Sequence, residues 1–166
     1  MMAADIFRPE QWTDFFLLVG TGAVTLTGLV FVALSLNLKV IAVDATHRYR
    51  AIGTLAGLTL VFMRCALVLM GGQNHQAIGV ELLAVSGLGA IIYVNGYRQA
   101  YKRGSGPSLF RTVGGTCLYL AEMIGATALI PGSVAGLYVA AAALVANTCY
   151  MITGAWLLVV GVQQKR

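Results

Sequence analysis

The chain is divided into five long apolar runs, and this pattern limits its possible folds more than any other feature. The runs cover Phe15 to Leu36, Ala51 to Met70, Ala77 to Asn95, Thr112 to Ile130 and Val134 to about Val160. Each is close to the roughly 20 residues that a helix needs to cross a bilayer. Charged residues make up only 10% of the chain, against about 25% in soluble domains. We therefore predict an all-α integral membrane protein with one membrane domain, residues 1–166.

The number of spans depends on the short break between the last two runs. A single helix through Ile130-Pro131-Gly132-Ser133 would be roughly twice as long as one crossing requires. Pro-Gly favours a turn, and the serine that follows is well placed to cap a new helix. We predict five transmembrane helices with a tight helical hairpin between spans four and five. Asp44 and Ser108 are the predicted caps of spans two and four.

The basic residues predict the orientation of this bundle. With five spans, nine of the eleven basic residues fall on one side: Lys39, Arg48, Arg50, Arg98, Lys102, Arg103, Arg111, Lys165 and Arg166. The positive-inside rule then places the N-terminus outside and the C-terminus in the cytoplasm, which fits a plasma (inner) membrane protein. The same residues favour contact with anionic lipid headgroups at the cytoplasmic face. They give no reason to expect nucleic-acid binding.

Three ionisable side chains lie inside the apolar runs. Measured from the outer helix ends, Glu81 lies about 6 Å deep, Arg64 about 9 Å and Glu122 about 12 Å. A charged side chain at the bilayer centre costs at least about 2.5–3.5 kcal/mol, so we expect these residues to face protein and to meet. Thr21 in span one lies at the same level. Tyr119 shares a helix face with Glu122 and is a possible hydrogen-bond partner for its carboxyl.

The charge balance of this cluster suggests a function. One arginine against two glutamates leaves an excess negative charge, which a bound cation or a protonated carboxyl would remove. Either solution suits a transport pathway. In the alternative interpretation, Arg64 and one glutamate lock two helices together while Glu81 reaches headgroup water. His75, in an outer turn, is either a sensor of external pH or a solvated turn residue.

Small residues recur at helical spacing on spans two and five. They are Gly53 and Gly57 on span two and Gly136, Ala140, Ala143 and Asn147 on span five. Small side chains allow membrane helices to approach closely, so we predict that these faces are packing seams. Because five short helices make a thin bundle, we also expect a homo-oligomer.

Catalytic and metal-binding motifs are absent from the sequence. There is no HExxH, GxSxG or phosphate-loop pattern, and the two histidines, His47 and His75, are predicted on opposite sides of the membrane. Cys65, Cys117 and Cys149 all fall within spans, where free cysteines act as small packing residues. We expect neither an enzyme, nor a metal site, nor a cofactor.

Two functional classes remain for a chain with these features. The first is a small channel or carrier that moves protons, cations or a small solute through an oligomeric bundle with an outer-half Arg/Glu site. The second is a non-transporting component that docks onto, or regulates, a partner membrane protein complex through the small-residue faces of spans one and five.

Overall fold

The computed structural model describes residues 9–38, 41, 45–102 and 109–163. In this part of the chain the helices are α1 (Thr13–Leu36), α2 (Ala45–Val68), α3 (His75–Lys102), α4 (Leu109–Leu129) and α5 (Val134–Gln163). A short 3-10 turn, Pro9–Trp12, precedes α1. The predicted caps Asp44 and Ser108 lie outside the described residues.

The five predicted helices are confirmed, and each is long and apolar enough to cross a membrane. Their ends differ from the predicted spans at one end of the molecule, where α2 begins at Ala45 and α3 continues to Lys102. A helix of 28 residues such as α3 is about 42 Å long, whereas the hydrocarbon core is about 30 Å thick. The apolar run therefore marks the part of the helix inside lipid, and the helix continues past it.

Backbone hydrogen bonds stop α4 and start α5 within four residues. Gly132 has a φ of 93°, which is a conformation that glycine adopts without strain. The amides of Gly132 and Ser133 donate to the carbonyls of Leu129 and Ala128, at 2.9 and 3.2 Å. This is the Schellman pattern of a helix C-terminus. This turn connects α4 to α5 and confirms the predicted tight hairpin at Pro131-Gly132.

A second local signal starts α3. The side chain of Asn74 accepts a hydrogen bond of 2.8 Å from the amide of Ala77. The bond satisfies one of the free amides in the first turn of the helix, which is the usual role of an asparagine N-cap. The break between α2 and α3 is thus encoded by the polar residues of the connecting segment.

Helices that follow one another along the chain run antiparallel, and α2 lies at the centre of the bundle. The most extensive contacts are between α4 and α5, and α2 contacts α1, α3 and α5. Leu58, Val61 and Cys65 of α2 are almost completely buried. Helix α1 is peripheral, because only Phe16, Gly20 and Ala23 are buried along its length.

The two ends of the bundle differ in composition. We call one of them the basic end: α2 and α4 begin there, α3 ends there, and Arg48, Arg50, Arg98, Lys102 and Arg111 lie there. At the opposite end Trp12 packs against Phe15, Phe16 and Tyr138, with ring centroids 4.7 Å apart for Trp12 and Tyr138. Such aromatic clusters are typical of a membrane–water interface.

Candidate functional site

A buried ion pair joins α2 to α4 inside the bundle. Nη1 of Arg64 lies 2.9 Å from Oε1 of Glu122, and each side chain is only 3% exposed. This is one of the pairings that the sequence allowed. Opposite charges meet here because neither could leave the protein without entering hydrocarbon, where an isolated charge is costly.

Asn147 of α5 completes this junction between three helices. Its side-chain amide donates to the same Oε1 of Glu122 at 2.9 Å, and the residue is 1% exposed. The predicted packing seam therefore contributes a hydrogen bond to the charged pair. The ring of Tyr119 is also buried, with its centroid 6.0 Å from the Arg64 guanidinium carbon. We refer to Arg64, Tyr119, Glu122 and Asn147 as the polar layer.

Three atoms of the polar layer have no hydrogen-bond partner among the described residues. They are Nε and Nη2 of Arg64 and Oε2 of Glu122. Ser86 of α3 lines a void of about 10 Å³ together with Arg64 and Glu122, which is about the space that one water molecule needs. Buried polar atoms without partners typically cost about 1–3 kcal/mol each. The polar layer is thus incompletely satisfied by the protein itself.

The other predicted members of the cluster lie away from this pair. The carboxylate of Glu81 is half-buried and accepts a hydrogen bond of 2.8 Å from Gln73. Thr21 is exposed on α1, because that helix turns its Phe16–Gly20–Ala23 face to the bundle. Nδ1 of His75 lies 3.2 Å from the carbonyl oxygen of Ile130. The histidine therefore connects the start of α3 to the end of α4.

The predicted packing residues fall into two groups. A Cβ on Gly136 would stand 2.7 Å from the carbonyl oxygen of Gly125, and Ala140, Ala143 and Asn147 are partly or fully buried along the same helix. A Cβ on Gly57 would stand 2.5 Å from the Met151 side chain. Gly53 is different, since it has no neighbour within 4 Å of that position. It lines a cavity, so the predicted close packing at this glycine is wrong.

This cavity lies in the half of the bundle nearest the basic end and has a volume of about 160 Å³. Four helices, α2 to α5, form its wall. Four glycines, five tyrosines and two arginines are among the lining residues: Gly53, Gly57, Gly96, Gly154, Tyr49, Tyr93, Tyr97, Tyr119, Tyr150, Arg50 and Arg111. It extends inward as far as Leu60 and Tyr119, and so reaches the polar layer.

Arg111 is held in the cavity wall through both its backbone and its side chain. Its carbonyl oxygen accepts hydrogen bonds from the hydroxyls of Tyr93 and Tyr150, at 3.2 and 3.1 Å. Its guanidinium carbon lies 4.8 Å from the ring centroid of Tyr150, which is within the range of a cation–π contact. The guanidinium reaches the backbone of α5 at Gly154, where a Cβ would stand 3.0 Å from Nη2.

A row of tyrosine rings connects the cavity to the polar layer. Ring centroids are 4.8 Å apart for Tyr97 and Tyr93 and 5.4 Å apart for Tyr93 and Tyr119. These separations are typical of interacting aromatic pairs. Tyr119 then faces Arg64. The wall of the cavity and the ion pair are therefore parts of one continuous set of contacts.

The charge of the cavity wall is positive within the described part of the chain. Arg50 and Arg111 line it, and none of the lining residues is an aspartate or glutamate. Arg111 also lies in the first turn of α4. Because the helix dipole makes an N-terminus a favourable place for anions and an unfavourable one for cations, this arginine adds positive charge where the helix already has it.

The sequence interpretation placed Arg50 and Arg111 on the cytoplasmic side and Tyr49 and Tyr97 at the inner membrane interface, and it did not predict a cavity. Two signals in the sequence point to the cavity. Tyr93 and Tyr97 are four residues apart, and Gly96 lies beside them, so one face of α3 combines aromatic rings with a gap. Arg111 in the first turn of α4 contradicts the usual preference for acidic residues there.

Comparisons with known proteins add no further assignment. No family profile, no curated protein and no solved structure matches the chain.

Proposed function

We propose that this protein is a small membrane carrier that binds a small solute in the cavity at the basic end. The observation that carries the proposal is the cavity of about 160 Å³, which ends at Tyr119 of the buried polar layer. A solute site that is accessible from one end and closed towards the other is the arrangement expected of a carrier in one of its two access states.

Close packing beyond the polar layer supports the proposal. A Cβ on Gly125 would stand 2.6 Å from the backbone nitrogen of Ala140, and a Cβ on Gly79 would stand 3.0 Å from the carbonyl oxygen of Ala126. Helices α3, α4 and α5 therefore touch through their backbones in this half. A solute in the cavity can pass only if these helices separate.

The polar layer has the properties of a closing contact between two states. Arg64 and Glu122 are held by one direct ion pair, while three of their polar atoms have no partner among the described residues. An incompletely satisfied buried pair stabilises its arrangement less than a fully bonded one. We propose that the pair rearranges when the close-packed half opens.

The geometry favours a solute over protons or cations as the transported species. Oε1 of Glu122 accepts bonds from both Arg64 and Asn147, so this carboxylate oxygen is already held by two donors of the protein. Glu81 is separate from the pair and is bonded to Gln73. The proposed exchange of a proton or cation at Glu122 therefore has less support than solute binding in the cavity.

The proposal includes an orientation of the bundle in the membrane. Following the positive-inside rule, we place the basic end and the C-terminus in the cytoplasm of a plasma (inner) membrane, in contact with anionic headgroups. Labelling with a membrane-impermeant thiol reagent tests this orientation. A Gly53→Cys variant without Cys117 and Cys149 should react from the cytoplasmic side only, while the buried Cys65 stays unlabelled. Reaction from the outer side only would reverse the orientation.

The transport proposal is tested by efflux from proteoliposomes. Liposomes loaded with a mixture of small carboxylic acids, amines and neutral solutes are analysed over time by mass spectrometry. We expect one or more of these solutes to leave faster than from protein-free liposomes. The Gly96→Leu protein should lose this efflux because its side chain occupies the cavity, which has open space at that position.

A matched control comes from the same helix. Gly87 also has no neighbour within 4 Å of a Cβ position, but it does not line the cavity. Gly87→Leu should therefore transport like the parent protein. Efflux that is equal in the parent, in Gly96→Leu and in protein-free liposomes would reject the carrier function.

A second candidate function, docking onto a partner membrane protein, is favoured by one observation on α1. Thr21, Gly22, Thr25 and Gly28 are all exposed or half-exposed, and neither glycine has a neighbour within 4 Å of a Cβ position. Small and hydroxylated residues are common where membrane helices associate. Cross-linking in native membranes tests this surface, with a photoreactive group attached to a Gly22→Cys protein that lacks the exposed Cys117 and Cys149. A cross-linked dimer would indicate the homo-oligomer, and a heterodimer would indicate a partner.

A further inference from the structure

The cavity has a positively charged corner next to an aromatic wall. Nη2 of Arg111 and Oγ1 of Thr54 lie 3.0 and 3.6 Å from the point where a Cβ on Gly154 would stand. A guanidinium and a hydroxyl are both donors to carboxylate oxygens. Because Gly154 has no side chain, both groups approach its backbone closely, and both residues line the cavity.

The remaining wall is apolar and aromatic. Tyr93, Tyr97 and Tyr150 present rings, and Leu60 and Met151 present aliphatic groups. The hydroxyl of Tyr93 already donates to the carbonyls of Arg111 and Thr112, at 3.2 and 3.0 Å, and that of Tyr150 also donates to Arg111. These hydroxyls are engaged with α4, so the rings offer mainly their apolar faces to an occupant.

The size of the cavity limits what it can hold. An engineered cavity of about 150 Å³ in another protein binds benzene, and the cavity here has about 160 Å³. A single ring therefore fits this space. A basic corner with no described carboxylate on the wall favours an occupant with a negative charge.

We infer that the cavity binds a small organic anion in which one carboxylate is attached to a single apolar ring. The carboxylate contacts Arg111 and Thr54, and the ring lies against Tyr93 and Tyr150. Arg50, which is exposed at the basic end, attracts the anion towards the cavity. This inference rests on the proposed solute site and specifies its ligand.

Binding measurements separate charge from shape. The parent protein in phosphatidylcholine nanodiscs is titrated by calorimetry with benzoate, with benzamide and with acetate. Benzamide keeps the ring without the charge, and acetate keeps the charge without the ring. We expect both to bind at least about tenfold more weakly than benzoate, since a hydrogen bond to a charged group and the burial of a ring each exceed the free energy of a tenfold change. Equal binding of benzamide would overturn the inference.

Variants locate the site within the cavity. Arg111→Gln should weaken benzoate binding by about tenfold or more, and Gly96→Leu should abolish it. Arg98→Gln removes an exposed charge from the same end without touching the cavity wall, and it should bind like the parent. If Arg98→Gln weakens binding as much as Arg111→Gln, the effect is general electrostatics and the inference is wrong.

Two further experiments distinguish binding of a small organic anion from binding of a lipid headgroup and from binding of another solute. In nanodiscs that contain phosphatidylglycerol, benzoate binding should persist, and its loss would assign the basic corner to a lipid headgroup. Binding of a neutral or cationic solute that Gly96→Leu blocks, without any benzoate binding, would reject the anion and leave the solute carrier standing. Benzoate binding without transport of any solute would reject the carrier and leave the binding site.

Discussion

The two halves of this bundle use the same residue type, glycine, with opposite results. In the close-packed half, Gly79, Gly125 and Gly136 bring helix backbones into contact. In the half near the basic end, Gly53 and Gly96 face open space. The difference comes from what stands opposite each glycine. Backbone atoms of the neighbouring helix stand opposite the glycines in the first half, whereas tyrosines and arginines line the open space in the second.

This comparison shows that a glycine stripe predicts a gap in the helix surface and leaves open what fills it. The neighbouring backbone fills the gap where both helices are small, as between α4 and α5. A cavity results where large side chains elsewhere on the interface keep the helices separate. The polar layer lies between the two outcomes, and variants in each region test the division.

The largest effect is expected at the polar layer itself. Arg64→Leu leaves the buried Glu122 carboxylate without its counter-charge, and removal of one partner of a buried pair costs about 3–5 kcal/mol. The free energy of unfolding is measured by denaturation in mixed micelles. The double variant Arg64→Leu/Glu122→Leu should recover most of the loss because neither charge remains. A stable Arg64→Leu protein would show that the pair contributes little to holding the halves together.

The second largest effect on stability is expected from a substitution in the close-packed half, compared with one at the cavity. Gly125→Leu places a side chain where a Cβ would already stand 2.6 Å from the Ala140 backbone, so we expect a destabilisation of about 1–3 kcal/mol or more. Gly96→Leu, on the cavity side, should change the free energy of unfolding by no more than about 0.5 kcal/mol. Thermal unfolding of the two purified proteins measures the difference. Equal destabilisation of both would remove the distinction between a packed and an open half.

A smaller effect is expected from the tyrosines that shape the cavity. Tyr93→Phe removes a hydroxyl that donates to the carbonyls of Arg111 and Thr112. A hydrogen bond of this kind typically contributes about 0.5–1.5 kcal/mol. Tyr101, which is 81% exposed, provides the control, and Tyr101→Phe should leave stability unchanged. If the two variants behave alike, the hydroxyl of Tyr93 does not anchor the start of α4.

The smallest effect is expected for the glutamate outside the polar layer. Glu81 is half-buried and keeps one hydrogen bond, from Gln73, which an amide oxygen can also accept. Glu81→Gln should therefore shift the free energy of unfolding by about 0.5 kcal/mol or less. Parallel measurement of Glu122→Gln should give a larger loss. A reversed order would mean that the opposite end of the bundle depends on Glu81 more than its contacts indicate.

The sequence predicted much of the fold because membrane helices are encoded locally. Hydropathy predicted five helices, and the Pro131-Gly132 pair predicted the hairpin that Gly132 forms with a positive φ. The helix ends at the basic end were less predictable, since α3 continues to Lys102 beyond the apolar run. Hydropathy describes the lipid boundary, and a helix does not have to end there.

Part of the candidate site could also be predicted from the sequence. Similar depth and opposite charge predicted that Arg64 pairs with a glutamate, because opposite charges in hydrocarbon have few other partners. Asn147 was assigned to packing, although its amide bonds the same carboxylate. The lateral position of each helix decides such contacts, and helical periodicity alone does not specify it. Thr21 illustrates the same limit, because its depth was suitable but its helix presents another face.

The sequence by itself determined the membrane character, the five helices, the concentration of basic residues on one side and the presence of charges that had to be paired inside. These properties follow from hydropathy and residue spacing, which act along one chain segment at a time. Only the tertiary structure decided that Glu122 pairs with Arg64 while Glu81 does not, and that a cavity lined by Tyr93 and Arg111 separates the helices at the basic end. The separation of two helices depends on every side chain between them, so it becomes defined only when distant segments pack together.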